Sequence, residues 1–206
     1  MKKRQFEALC KMLLPDLPGF TCKGWLLYAV PLGHVLRGFC CDDSGFDPKK
    51  FTVWAFFLPL YVPRQYLSFN MGFRLKDVRG CDRWWKIDDP RLGEELLACI
   101  QQQGLPFLEA VKQPCDVVTA IQRLGIDSNV YNLEAMAYSL VMIDNVVAAQ
   151  QALERLTKLL DTSVPWQAEM KTRAMELARK LDIDPQEARR QLAEWEQATV
   201  KNLGLG

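Results

Sequence analysis

The sequence predicts an α+β protein, with an N-terminal helix and an antiparallel sheet followed by a C-terminal helical array of antiparallel hairpins. Three observations carry that prediction. Between Tyr66 and Leu75, apolar Leu67, Phe69, Met71, Phe73 and Leu75 alternate with Ser68, Asn70, Gly72 and Arg74, the period of a strand with one buried face. Pro31-Leu32-Gly33 separates Trp25–Val30 from His34–Cys41, as a hairpin turn would. Past Asp88-Asp89-Pro90, apolar residues recur at helical spacing instead.

Taken in order, residues 2–14 place Phe6, Leu9, Cys10, Leu13 and Leu14 on one side of a short helix. Pro15 and Pro18-Gly19 end it. The hairpin follows, then a loop marked by Asp42-Asp43-Ser44-Gly45 and Asp47-Pro48. Phe51–Leu58 is apolar on both faces, as expected of a central strand covered on two sides. The alternating strand 66–75 completes the sheet.

Leu92–Gln103 reads as a helix stopped by Gly104, with shorter helices over Pro106–Lys112 and Cys115–Leu124. Asn129–Ile143 and Val146–Leu160 form a helical hairpin about Asp144-Asn145. The first helix puts Leu133, Met136, Ala137, Leu140 and Ile143 on one face, and the second Ala149, Leu153, Leu156 and Leu160. A second hairpin opens at Pro165 with Trp166, Met170, Leu177 and Leu181. Its last helix starts at Asp184-Pro185-Gln186-Glu187, with Asp184 as cap, and buries Ala188, Leu192, Trp195 and Leu203. The hairpins begin about one tetratricopeptide period apart. Residues 1–89 are thus the sheet region and 90–206 the helical region, packed on it as one compact unit.

The chain has 206 residues, 49% hydrophobic and 25% charged, an ordinary globular balance that argues against disorder. Its formal net charge of +1 gives no whole-molecule field to draw in nucleic acid or a membrane surface. Seven cysteines in irregular spacing, with no C-x-x-C pair and one histidine, His34, exclude the familiar zinc frameworks and read as reduced thiols of a cytoplasmic protein. The basic start Met1-Lys2-Lys3-Arg4 has no apolar stretch behind it. The longest apolar run, about Ala55 to Val62, is far short of a membrane span.

Leu58-Pro59-Leu60-Tyr61-Val62-Pro63, followed by Leu67, Phe69, Gly72, Arg74 and Leu75, resembles an uncharacterised bacterial family of hypothetical proteins. There a strand runs into a Pro-Leu-Tyr-Val-Pro bend and then into a strand ending in Gly-x-Arg-Leu. Glu134-Ala135-Met136-Ala137-Tyr138-Ser139-Leu140, with Ala148, Ala149 and Leu153, is similar to the helical half of the same proteins and to a tetratricopeptide-type hairpin. The resemblance implies a bacterial source and brings no activity or catalytic residue. Some small bacterial α+β proteins of this look are immunity partners of secreted toxins, an analogy of fold alone.

Candidate chemistry is thin. His34 and the Cys40-Cys41 pair supply a base and thiols, but six strand positions separate His34 from Cys40 by about 20 Å. Asp42, Asp43 and Asp47, and Asp82, Asp88 and Asp89, are clusters that could hold a hard cation or simply form turns. Neither phosphate-loop glycine pattern nor a G-x-S-x-G elbow occurs. Trp84-Trp85, among Arg79, Arg83 and Lys86, suits the core, a protein interface or stacked nucleobases. Tyr61, Arg64, Gln65 and Tyr66 form a polar-aromatic surface stiffened by Pro59 and Pro63.

These residues predict a non-enzymatic protein that binds another protein, an immunity-like toxin inhibitor being one version. Its partner-binding set is Tyr61, Arg64, Tyr66, Ser68, Asn70, Arg74, Trp84 and Trp85. No catalytic residue, cofactor, metal or membrane association is expected, nucleic acid is disfavoured, and small molecules are left open. The competing readings are an enzyme using the loop aspartates and a helical scaffold.

Overall fold

The computed structural model describes residues 1–125 and 128–205. It shows an N-terminal helix, a six-stranded antiparallel sheet and a C-terminal helical array, an α+β architecture. The chain divides into two compact units. The first comprises Met1–Leu58 and Met71–Lys112, the second Pro59–Asn70 and Gln113–Gly206. The 89/90 junction read from the sequence therefore falls inside the first unit.

In the first unit, α1 (Lys3–Leu13) buries Phe6, Leu9, Cys10 and Leu13. Strands β1 (Phe20–Lys23), β2 (Leu26–Ala29), β3 (Val35–Asp43), β4 (Lys50–Pro59) and β5 (Gly72–Arg74) are neighbours in that order, and β6 (Trp85–Lys86) also pairs with β4. The hairpin across Pro31-Leu32-Gly33 is present, with Leu27 opposite Phe39. β4 is the central strand, with Phe51, Val53 and Ala55 in a core shared with α1 and Phe39. The sequence reading missed β1 and β6. β3 also runs on through Asp42 and Asp43, and the loop starts at Ser44, whose hydroxyl accepts from the amides of Phe46 (3.2 Å) and Asp47 (3.1 Å).

Two expectations fail here. The strand expected over 66–75 is only Gly72–Arg74. Alternation alone does not supply a ladder partner, and residues 66–70 have none: the backbone bends at Gln65 and Tyr66 and turns at Asn70. Gly104 was expected to stop a helix. Instead α2 (Leu92–Cys99) continues through a π-helical turn (Ile100–Gly104) into α3 (Leu105–Glu109). A Cβ at Gly104 would collide with the buried Phe39 ring, so this glycine serves close packing rather than termination.

The second unit contains α4 (Pro114–Leu124), α5 (Val130–Met142), α6 (Val146–Leu159), α7 (Pro165–Ile183) and α8 (Pro185–Asn202). Consecutive helices pack together, and α5 also meets α8. Asp144 makes the α5–α6 break at φ 62°, a left-handed conformation Asp tolerates. Asp184 accepts from the Gln186 amide at 2.9 Å, capping α8 as expected. Leu133, Ala137, Leu140, Ala149, Leu153, Leu156, Leu160, Met170, Leu177, Leu181, Ala188 and Leu192 are buried. Trp195 and Leu203 are only half-buried, while Trp166 and Ile143 are exposed. Among the described residues, no helix is long and apolar enough to cross a membrane.

Candidate functional site: an aromatic cleft over an arginine pair

The segment from Pro59 to Asn70 lies in sequence between two strands but belongs to the helical unit. Tyr61 explains how it is held. Its side chain is fully buried, and its hydroxyl lies 2.6 Å from Ser139 Oγ on α5. Ser139 spends its one proton on the Ala135 carbonyl at 2.6 Å, so Tyr61 is the donor to Ser139. Burial pushes the Tyr61 phenol well above its ordinary range.

The next residues are fastened by α8. Thr199 Oγ1 donates to the Val62 carbonyl and accepts from the Arg64 amide, both at 3.3 Å, and Asn202 donates to the Arg64 carbonyl at 3.3 Å. These bonds fix where the Arg64 side chain starts.

Arg64 then reaches Glu134, a carboxylate with no exposed surface. Arg64 Nη1 lies 3.0 Å from Glu134 Oε2, and Arg173 Nη2 on α7 lies 3.2 Å from Oε1. The Arg64 contact is close in charge but out of line, so Oε2 has no hydrogen-bond donor, and Arg173 Nε and the Tyr138 hydroxyl are likewise buried without an in-line partner. Tyr138 titrates well above the ordinary phenol range, chiefly through burial and then through the neighbouring Glu134 carboxylate.

Aromatic rings are layered on this foundation. The Arg64 guanidinium sits over the Tyr131 ring at 5.6 Å, and Tyr131 stacks on Trp166 with centroids 5.0 Å apart and planes 12° from parallel. On the α8 side, Trp195 stacks on Tyr138 at 5.5 Å. An open cleft of about 640 Å³ runs between them. Gln65–Asn70 form one wall and Tyr131, Trp166, Trp195 and Arg173 the others.

The partner-binding set read from the sequence is divided by this arrangement. Tyr66 is 79% exposed, Asn70 is exposed and Ser68 half-buried, and all three line the cleft. Tyr61 is a correction: it anchors the segment from inside and presents nothing to a partner. Arg64 lines the cleft through a side chain only 14% exposed. Arg74, Trp84 and Trp85 belong to the first unit. Trp85 is also a correction, because it is buried and packs on Phe51 at 5.9 Å. Sequence reasoning missed Glu134, Arg173, Tyr131 and Trp195. The available signal was Glu134 itself, a charge on a helix whose other faces are apolar, which demands a cationic partner.

In the first unit, Arg74 lies between the rings of Trp54 (5.1 Å) and Trp84 (5.9 Å). It pairs with Asp42 at 2.6 Å and Asp82 at 3.2 Å, and Lys76 joins Asp82 at 2.5 Å. The hydrogen bond from Lys76 leads the effects that hold Asp82 below the ordinary carboxylate range. Asp88 is paired with Lys49 and Asp47 with Lys50. Among the described residues, no group of three or more His, Cys, Asp or Glu side chains is placed to hold a metal. Cys40 is buried and its thiol pushed up to about 12, by burial and then by Asp42, the opposite of an activated nucleophile. His34 is exposed.

No protein family, curated protein or solved structure compared with this chain matches it. The resemblance to a bacterial family therefore rests on its motif residues alone.

Proposed function

We propose that this is a binding protein whose working surface is the aromatic cleft of the helical unit, and that its partner is another protein. The single observation that carries this reading is the Arg64–Tyr131–Trp166 stack beside an open cleft. Trp, Tyr and Arg are the side chains that dominate interface energies. Here they are held by packing and by hydrogen bonds to α5 and α8, so little conformational freedom is lost on binding. The immunity-type version of the reading keeps the same surface and differs only in its partner. Cytoplasmic residence is part of the proposal and is supported by seven unpaired thiols.

The test is selection of a displayed library of random peptides on the immobilised intact chain. The reading expects enriched peptides whose affinity falls at least about tenfold with Trp166→Ala, the loss of one interface anchor. Failure to enrich any peptide, or binding indifferent to both Trp166→Ala and Tyr66→Ala, would remove the cleft as the working surface.

A further inference from the structure

We infer that the cleft takes an extended, acidic polypeptide segment, with a partner carboxylate meeting the Arg64–Arg173 pair. This inference rests on the binding reading above and adds the chemistry of the ligand.

Charge favours an acidic ligand. Arg64 and Arg173 share one carboxylate, Glu134, so the buried group carries one positive charge more than it neutralises. Neither guanidinium can lose its proton to relieve this. Their side chains are 14% and 26% exposed, where charge is screened less than on the open surface. Both line the cleft. A carboxylate is the planar acceptor that fits a guanidinium fork. The facing acid is Glu169, exposed on the same helix one turn before Arg173. It is a water-screened charge, worth little against a partly buried pair.

The backbone of the cleft wall favours a polypeptide. Gln65–Ser68 line the cleft outside any strand, and among the described residues they make no backbone–backbone hydrogen bond. A row of open amides and carbonyls beside aromatic pockets is what an incoming extended chain pairs with. Nucleic acid suits the site less, because its affinity comes from many cations releasing counterions. Here there are two arginines, already sharing an acid.

The test uses the intact chain and the random-peptide library. Enriched peptides should carry Asp or Glu at one fixed position, and replacing it by Asn or Gln should weaken binding about tenfold or more, the scale of a charge-assisted hydrogen bond. In a double-mutant cycle, Arg173→Gln should cost the same factor, and the two losses should not add. Should Arg173→Gln fold poorly, two measurements decide without it. Added salt should weaken the acidic peptide and spare its Gln version, and Arg64→Gln should cost the acidic peptide about tenfold while sparing the Gln version. Peptides enriched without an acidic position, or additive losses in the cycle, would overturn the inference while leaving the binding reading in place. Absence of any enriched peptide would sink both. Tighter binding of labelled oligothymidylate than of any peptide would overturn the ligand class.

Discussion

Each unit of the molecule builds a cluster of arginine, aromatic rings and carboxylates, and the two clusters differ in their balance of charge. In the sheet unit, one guanidinium, Arg74, lies between two tryptophans and is met by two carboxylates, Asp42 and Asp82. Burial opposes its charge, yet the hydrogen bonds to those acids outweigh burial and raise its pKa. In the helical unit, two guanidiniums share one carboxylate, and the rings line open space. Ingredients of the same kind give a charge-balanced cluster in one place and a cluster with one positive charge in excess in the other. The balance of charge, rather than the presence of Trp and Arg, distinguishes the two clusters.

The sharpest way to break that comparison is to remove each carboxylate. Glu134→Gln leaves two buried guanidiniums without a counter-charge and should cost on the order of 3–5 kcal/mol in urea unfolding. A cost below about 1 kcal/mol would mean that the pair is solvated and the cleft's foundation is misread.

Next in size is Tyr61→Phe, which deletes the hydrogen bond to Ser139 and should cost about 1 kcal/mol. It also has a pH signature. Because the folded pKa of Tyr61 is raised by burial, the folded state holds that proton more tightly. Its contribution is complete below the ordinary phenol pKa of about 10 and is lost as pH rises above it. Tyr61→Phe should therefore flatten the alkaline fall of stability, and an unchanged slope would show that Tyr61 is not enclosed.

The smallest effect belongs to the sheet cluster. Asp82 is about one-third exposed, so Asp82→Asn should cost no more than about 1 kcal/mol at neutral pH. Its folded pKa is depressed, chiefly by Lys76. The stabilisation is present above the ordinary carboxylate range and lost as pH falls through it. The variant's deficit should thus shrink in acid. A deficit that grew instead would contradict the ion-pair assignment.

What was legible in the sequence was local. The Asp184 cap, the break at Asp144-Asn145 and the buried faces through Leu153, Leu156, Leu177 and Leu192 follow from helical period and short-range hydrogen bonding. What was not legible was long-range. The alternation of 66–70 does not tell a paired strand from an unpaired segment, because a ladder partner lies elsewhere in the chain. Tyr61 looked like surface because prolines and polar neighbours flank it, yet its hydroxyl has a donor's role on Ser139 far along the chain. The cleft itself depends on Arg64, Glu134 and Arg173 meeting from the 59–70 segment, α5 and α7, and no spacing rule encodes such a meeting. A lone carboxylate on an otherwise apolar helix was the one readable trace.

The most direct measurement is a paired titration of the intact chain with one enriched acidic peptide and its Gln isostere, repeated for Arg173→Gln and Arg74→Gln. The account predicts that Arg173→Gln abolishes the preference for the acidic peptide and that Arg74→Gln preserves it in full. Loss of the preference in Arg74→Gln with retention in Arg173→Gln would contradict the account, as the receptor surface would then lie on the sheet.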